Sequence, residues 1–227
     1  MRLMSKKIYL SPSNQTSNKY AYGDTTEAIQ CRRIADACEV ALKRCGFEVK
    51  NNQTDSMTAR CNESDKWGAD LHVPIHTNAY NKSVTGTRLF CYNTGGEGYK
   101  ACKAVFAALA PLTPGTSENI KANTTLYEVR VPNAKTVYVE ADFHDVPAVA
   151  KWIIENVEAI GEAIAKGICD YFGVKFVEKP VEKKEEPKAE KKEEVLYRVQ
   201  VGAYATKANA LAMQKKLKAD GYNAVIV

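Results

Sequence analysis

The side chains in this sequence best suited to chemistry are histidines and carboxylates at the ends of apolar segments. Only three histidines occur, His72, His76 and His144. His72 and His76 fall in one predicted strand, about 13 Å apart, so we do not expect them to bind the same metal ion. His72 lies mid-strand and is interpreted as a hydrogen-bonded core residue. His76 ends the strand, where a ligand or catalytic group is as plausible as a structural histidine.

A second apolar segment, residues 136–143, also runs into ionisable side chains. Glu140, Asp142 and His144 occupy alternate positions at its exit. Because such residues are costly to place at the edge of a buried sheet, the pattern favours a metal site or a general base over a surface salt-bridge cluster.

Glu27 adds a third carboxylate. The sequence Asp24-Thr25-Thr26 predicts a helix start, and Glu27 begins the apolar face that Cys31, Ile34, Cys38 and Cys45 continue. A glutamate in the first turn often only caps the helix or interacts with its dipole. On a buried face, however, a carboxylate requires a cation, which indicates a metal ion or an arginine.

Apolar segments of strand and helix character alternate along residues 1–174. This order predicts an α/β fold with a mostly parallel sheet flanked by helices, and functional groups at the carboxyl edge of the sheet. The predicted strands are 7–10, 47–49, 70–76, 87–92 and 136–143, and the predicted helices are 25–45, 57–67, 97–110 and 147–172.

Composition sets the domain boundaries. Residues 175–194 hold seven lysines, seven glutamates and two prolines, which predicts a linker. It separates a first domain, 1–174, from a short C-terminal segment, 195–227. The segment of 33 residues is too small to bury a core of its own.

Several classes of protein are disfavoured by the overall composition. No apolar run has the length of a membrane helix, so a spanning segment is not expected. A secretory leader is not recognised either. The net charge of +5 is spread along the chain, which disfavours nucleic acid as a partner. The seven cysteines contain no Cys-x-x-Cys pair and are interpreted as reduced core residues.

The first domain resembles a known family over residues 7–173, the type 3 zinc-dependent N-acetylmuramoyl-L-alanine amidases. These hydrolases cut the amide bond between N-acetylmuramic acid and the first L-alanine of the peptidoglycan stem peptide. The segments that carry the resemblance are Gly23-Asp24-Thr25-Thr26-Glu27, Arg60, Gly68 to Ala79 with Pro74-Ile75-His76-Thr77-Asn78, Leu126-Tyr127-Glu128-Val129-Arg130, and Val139-Glu140 followed by Phe143.

The resemblance implies the cofactor and the roles of individual residues. Zn²⁺ is expected as the cofactor, with Glu27 and His76 as two of its ligands and Glu140 as the catalytic base. Asn78 and Arg130 are expected to bind substrate. Such a ligand set leaves a position on zinc for water.

The chain departs from the family at the first zinc ligand. Where the family has Asp-Pro-Gly-His-Gly, this sequence has Ser11-Pro12-Ser13-Asn14-Gln15, without a histidine. We expect His144 to replace the missing ligand, because an imidazole binds zinc better than an amide oxygen. The alternatives are Asn14 or Gln15 as the ligand, or a weak or absent metal.

Residues 196–227 resemble the first half of a SPOR domain, a module that binds septal glycan strands. A strand, a helix and a second strand are expected, which is a small α+β (β-α-β) unit. The segment therefore suggests binding to glycan strands, and the alternative is a residual appendage.

Together these features predict a peptidoglycan amidase of the autolysin or endolysin kind. We expect it to be made in the cytoplasm and to act on the cell wall after release through a holin or by lysis. The alternatives are a zinc peptidase or aminoacylase on a similar fold, and a wall-binding pseudoenzyme without metal. The sequence does not indicate an oligomeric state.

Overall fold

A seven-stranded sheet forms the centre of the structure, a computed structural model that describes residues 5–54, 56–116, 118–179 and 199–226. Its strands are short, and the middle ones are buried. They are β1 Lys7–Pro12, β2 Glu48–Asn51, β3 Leu71–Asn78, β4 Arg88–Cys91, β5 Asn119–Ala122, β6 Lys135–Thr136 and β7 Tyr138–Phe143.

The order β2-β1-β3-β7-β4-β5 defines the sheet, with β6 also paired to β3. The strands β1, β2, β3, β6 and β7 run parallel to one another. β4 runs antiparallel to β7, and β5 is parallel to β4. Because β4 is reversed, its first residue, Arg88, lies at the edge where β7 ends.

Helices pack on the sheet and against one another. They are α1 Glu27–Arg44, α2 Met57–Trp67, α3 Glu97–Leu109, α4 Tyr127–Arg130, α5 Pro147–Glu155 and α6 Val157–Phe172, with a 3₁₀ turn at Ala110–Leu112. The α6 helix approaches α1 and α3 closely through glycines. A Cβ at Gly161 would lie 2.7 Å from the Ile34 carbonyl oxygen, and one at Gly167 only 2.3 Å from the Val105 Cα atom.

The α1 helix shows why the sequence places Glu27 inside. The Thr26 side chain caps the helix by accepting a hydrogen bond from the Ile29 amide. The face that starts at Glu27 continues through residues that are fully buried, namely Cys31, Ile34, Ala35, Cys38, Ala41 and Leu42. All seven cysteines are free, as the sequence indicated.

The predicted fold class is confirmed, and the differences concern short elements. The short elements β5, α4 and the 3₁₀ turn were not predicted, and the predicted strand 136–143 is two strands, β6 and β7. The predicted helix 147–172 is two helices that meet at Asn156, whose backbone is not helical (φ −121°, ψ 20°). Its side-chain amide donates to the Trp152 carbonyl oxygen at 2.7 Å, which replaces a helical bond at the break.

The chain divides into two compact units, residues 1–179 and 180–227. The start of the predicted linker, 175–179, belongs to the first unit, where Arg44 Nε donates to the Val177 carbonyl oxygen at 2.7 Å. Residues 180–194 lie outside the described part of the chain.

In the second unit the structure describes residues 199–226. They contain the expected helix, α7 Lys207–Ala219, whose N-cap is Thr206. The two strands expected beside it are not formed by the described residues 199–204 and 221–226, because a strand requires a hydrogen-bonded partner and none is paired with them. In the described parts of both units, no helix has the length and apolar character to span a membrane.

Candidate active site

Glu27 and His76 form the centre of the candidate site. The His76 Nδ1 and Glu27 Oε1 atoms are 2.8 Å apart, and both side chains are buried. The Glu27 carboxylate also accepts hydrogen bonds from Asn18 Nδ2, at 2.7 Å, and from the Ser13 hydroxyl. Burial raises the pKa of Glu27, but these three bonds lower it more, so the pKa lies below its ordinary value. Glu27 is therefore ionised at neutral pH.

His76 is held by its strand and by an aromatic neighbour. Its ring stacks on Tyr138 with centroids 4.7 Å apart. Burial lowers the pKa of His76, but the hydrogen bond to Glu27 and the nearby carboxylate of Glu140 raise it, with a net rise. Its Nε2 atom is buried and has no hydrogen-bond partner among the described residues.

Glu140 lies beside His76 in the sheet. The two residues are register partners on β7 and β3, and Arg88 is the partner of Glu140 on the other side. Burial raises the pKa of Glu140 to about 7, and the Glu27 carboxylate adds to this, against the positive charges of His76 and Arg88. A carboxylate with a pKa near 7 is suited to general acid–base catalysis. Its Oε2 atom is also buried and lacks a partner among the described residues.

Two observations indicate whether a metal fits here: the unpartnered atoms His76 Nε2 and Glu140 Oε2, and the types of ligand atom present. Buried polar atoms normally have partners, and those that lack one often mark a functional site. An imidazole nitrogen and carboxylate oxygens are ligands that zinc prefers. Glu27 and His76 therefore fit as two adjacent zinc ligands.

His144 is close to this centre but is not assembled with it. Its Nδ1 atom is 2.9 Å from the Thr77 hydroxyl, and its ring stacks on Tyr20 at 4.9 Å. Burial lowers the pKa of His144, although the Glu27 carboxylate opposes this, so the imidazole is neutral at pH 7. Among the described residues, His144 does not join Glu27 and His76 in a group whose ligand atoms all lie within 4.8 Å of one another.

Asn14 and Gln15, the alternative ligands, lie in the exposed turn after β1. Gln15 Oε1 accepts a hydrogen bond from Asn18 Nδ2 at 2.8 Å, the same nitrogen that donates to Glu27. The turn is therefore linked to the Glu27 carboxylate, and its amides remain alternatives to His144.

The expected cluster of Glu140, Asp142 and His144 is not formed. The Asp142 Oδ1 atom accepts hydrogen bonds from the Gly86 and Phe143 amides at 2.6 and 2.7 Å. It therefore stabilises a loop, while His144 Nδ1 contacts the Thr77 hydroxyl instead. The sheet register shifts between His76 and Asn78, which disturbs the alternation that the sequence suggested.

The two predicted substrate-binding residues lie outside this buried centre. Asn78 ends β3 and is half-buried, with its Oδ1 atom accepting from the Ala79 amide at 2.8 Å. Arg130 is exposed at the end of α4, 5.9 Å from the Tyr127 ring centroid. Their binding of substrate stays a prediction.

The loop 79–87 forms a rim at the same edge. It connects β3 to the reversed β4 and is attached to the residue after His144. The amides of Tyr80 and Lys82 both donate to Asp145 Oδ2, at 2.9 and 2.8 Å. Tyr80 itself is 76% exposed, so the rim presents an aromatic ring to solvent.

Sequence reasoning missed a second buried cluster. Cys61, His72 and Glu128 have ligand atoms that all lie within 4.8 Å of one another, and all three are buried. Glu128 and Arg60 stood in the segments that carried the family resemblance, but nothing in their spacing showed that they meet. His72, as expected, is a buried hydrogen-bonded residue, 3.4 Å from Glu128.

Comparison with known proteins decides the family. The family model described as N-acetylmuramoyl-L-alanine amidase matches residues 8–170, which is most of the chain. This chain belongs to that amidase family. A SPOR domain model matches residues 179–227.

Individual relatives agree with this assignment. The amidase is 24% identical over 233 residues to the N-acetylmuramoyl-L-alanine amidase CwlM of Bacillus licheniformis, with 97% of this chain and 84% of that protein covered. The fold matches the catalytic domain of CwlV from Paenibacillus polymyxa with a TM-score of 0.67 at 18% identity, covering 75% of this chain and 99% of that one. An amidase structure from Clostridium difficile 630 gives a TM-score of 0.66 at 18% identity, covering 74% and 97%.

The family fixes the reaction class of this chain. It is a peptidoglycan hydrolase that acts on the amide bond of N-acetylmuramoyl-L-alanine, and its family is generally zinc-dependent.

Proposed function

We propose that this amidase uses a zinc ion held by Glu27, His76 and His144, with Glu140 as the general base. The observation that carries the proposal is the 2.8 Å contact between His76 Nδ1 and Glu27 Oε1. Glu140 is the register partner of His76 on the neighbouring strand. Two ligand types of zinc and a carboxylate with a pKa of about 7 thus meet at one place.

His144 is the third ligand in this proposal. Histidines that bind metals usually use their second ring nitrogen for a hydrogen bond to an oxygen. The contact between His144 Nδ1 and the Thr77 hydroxyl is of that kind and leaves Nε2 for the metal. The lowered pKa of His144 keeps the ring neutral, as a ligand must be, whereas zinc has to displace the proton that Glu27 stabilises on His76, whose pKa is raised.

The residues of the chain have separate tasks in hydrolysis. When bound, zinc supplies Lewis-acid activation of water and of the substrate carbonyl. Glu140 accepts a proton from the attacking water, the bond between the lactyl carbon and the alanine nitrogen breaks, and Glu140 returns the proton to the leaving amine. The raised pKa of Glu140 suits it to both transfers.

The C-terminal segment is proposed to hold the enzyme on glycan strands. The SPOR match at 179–227 supports this partner, and action on the wall after release from the cytoplasm stays a prediction. Such a segment acts by raising the local concentration of the enzyme on its substrate.

Digestion of purified peptidoglycan tests the proposed function. Zinc-loaded protein should release new L-alanine amino termini without new reducing sugar ends, and a chelator should stop the reaction until zinc is returned. Amino termini of other residues would indicate a peptidase instead. Protein that folds but holds no zinc and cleaves nothing would indicate a wall-binding pseudoenzyme.

A further inference from the structure

A buried polar network lies beneath the turn that follows β1. Four polar side chains in it are at most 1% exposed: Ser11, Arg60, His72 and Glu128. Arg60 Nη2 donates to Glu128 Oε2 at 3.3 Å, and the Ser11 hydroxyl donates to Glu128 Oε1 at 2.5 Å. Burial raises the pKa of Glu128, but its bonds to His72, Arg60 and Ser11 lower it more. The carboxylate is therefore ionised.

Arg60 also reaches from this network towards the candidate site. Its Nη1 atom donates to the Pro12 carbonyl oxygen at 2.7 Å. The next residue, Ser13, donates its amide to the Ile75 carbonyl oxygen at 2.9 Å and bonds the Glu27 carboxylate with its hydroxyl. An unbroken series of contacts thus joins Glu128, Arg60, Pro12, Ser13 and Glu27.

The donor set Cys61, His72 and Glu128 suggests a second metal site, but the charges disfavour it. Both carboxylate oxygens of Glu128 are already engaged, one of them by the Arg60 guanidinium. Burial raises the pKa of Cys61 to about 12, so the thiol holds its proton. A divalent cation bound by a Cys61 thiolate and the Glu128 carboxylate would leave the Arg60 guanidinium without its counter-charge in a site without solvent, which is costly.

We propose that Arg60 is a positioning residue for Glu27 and that Glu128 holds Arg60 in place. The planar guanidinium has donors for two acceptors at once, which suits it to bridge a carboxylate and a main-chain carbonyl. It thereby fixes the turn 12–15 and, through Ser13, the orientation of the Glu27 carboxylate. This inference rests on the proposed function of Glu27 as a zinc ligand.

The chain offers a matched control for this arrangement. Arg44 likewise bridges a carboxylate and a main-chain carbonyl, donating to Glu162 Oε2 at 2.5 Å and to the Val177 carbonyl oxygen at 2.7 Å. It lies at the C-terminal end of α1, whereas Glu27 is at the N-terminal end. The same substitutions there, at a pair whose side chains are 16% and 25% exposed, report the loss of such a bridge without the link to the site.

The experiment compares two double variants, Arg60→Met with Glu128→Met, and Arg44→Met with Glu162→Met. Replacing both charges avoids leaving one of them buried and unpaired. Arg60→Lys is the second test, because a lysine keeps the charge beside Glu128 but lacks the fork that also reaches Pro12. The readouts are thermal unfolding, zinc affinity, kcat and KM on a soluble muropeptide, and hydrogen exchange of the Ser13 amide.

A positioning role predicts a specific pattern. In Arg60→Lys and in the first double variant, kcat and zinc affinity should each fall by about tenfold or more, the scale of one charge-assisted hydrogen bond. KM should stay near its wild-type value and the Ser13 amide should exchange faster. The Arg44 and Glu162 variant should keep the wild-type kcat and zinc affinity.

The opposite results would overturn the inference. Wild-type kcat, zinc affinity and Ser13 exchange in Arg60→Lys would show that Arg60 only pairs with Glu128. A second zinc ion that is lost with Cys61→Ser would show a metal site instead. If the wild-type protein cleaves no peptidoglycan, the proposed function fails, whereas exchange of the Ser13 amide still decides whether Arg60 fixes the turn.

Discussion

His76 and Glu140 are register partners on the parallel strands β3 and β7. Neighbouring parallel strands are about 4.8 Å apart, so a ligand on one and a base on the next are presented at the same edge. The arrangement needs no loop to bring them together. The proposed ligand His76 and the proposed base Glu140 thus both lie on strands of the central sheet.

Glu140→Gln should separate zinc binding from catalysis. The amide keeps the volume of the side chain but cannot accept a proton, so the ligands stay in place while the reaction slows. We expect kcat to fall by about 10² to 10⁴ with zinc content unchanged. Atomic absorption and dye release from labelled wall measure the two properties. Loss of zinc in this variant would show that Glu140 is itself a ligand.

Glu27→Gln should remove zinc and leave the protein folded. The amide can still accept a hydrogen bond from His76, whereas an amide oxygen is a poor zinc ligand. Glu39→Gln is the matched control, because Glu39 lies on the same helix and pairs with the surface residue Lys43. Circular dichroism and metal analysis measure the outcome. A Glu27 variant with stoichiometric zinc and full activity would contradict the ligand assignment.

His144→Ala and Asn14→Ala together identify the third ligand. We expect the histidine variant to lose more zinc affinity, because an imidazole is the better zinc donor. Titration with a competing chelator measures both affinities. The proposal for His144 is wrong if Asn14→Ala loses the metal and His144→Ala keeps it.

The raised pKa of Glu140 predicts a pH-dependent stability of the metal-free protein. With a pKa of about 7 instead of the ordinary 4.5, the folded state holds a proton that the unfolded chain releases. This contribution is fully present below pH 4.5 and is lost as the pH rises through about 7. The melting temperature of Glu140→Gln minus that of the wild type should therefore be larger at pH 8 than at pH 5. A difference that does not change with pH would contradict the raised pKa.

Removal of residues 180–227 should affect attachment more than chemistry. All residues of the candidate site lie in the unit 1–179, so cleavage of soluble muropeptides should be nearly unchanged. Sedimentation with intact wall should fall, because a tethered binding segment raises local concentration. Equal losses on soluble and intact substrates would assign the segment to the catalytic fold.

The sequence was informative where periodicity is long and chemistry is distinctive. The stripe on α1 predicted the burial of Glu27, and the strands that carry His76 and Glu140 were found where they were expected. β5 and α4 have four residues each, too few for a period to be recognised. The reversal of β4 also has no local signature, because strand direction depends on which neighbour a strand pairs with.

The buried network shows a second limit. Arg60 and Glu128 are 68 positions apart and meet only because α2 and α4 pack together. A sequence alone shows that a charged residue is present, but not that another element supplies its partner. The ion pair thus became visible only in the folded chain.

The reversed β4 has a consequence for how such an enzyme can diversify. The loop 79–87 leaves and re-enters the sheet at the edge that carries Glu140, and Asp145 secures it there. Insertions or deletions in this loop would reshape the rim beside Glu140, while the strands that carry His76 and Glu140 stay unchanged. The length and sequence of the loop can therefore vary without changing the strands that carry the proposed catalytic residues.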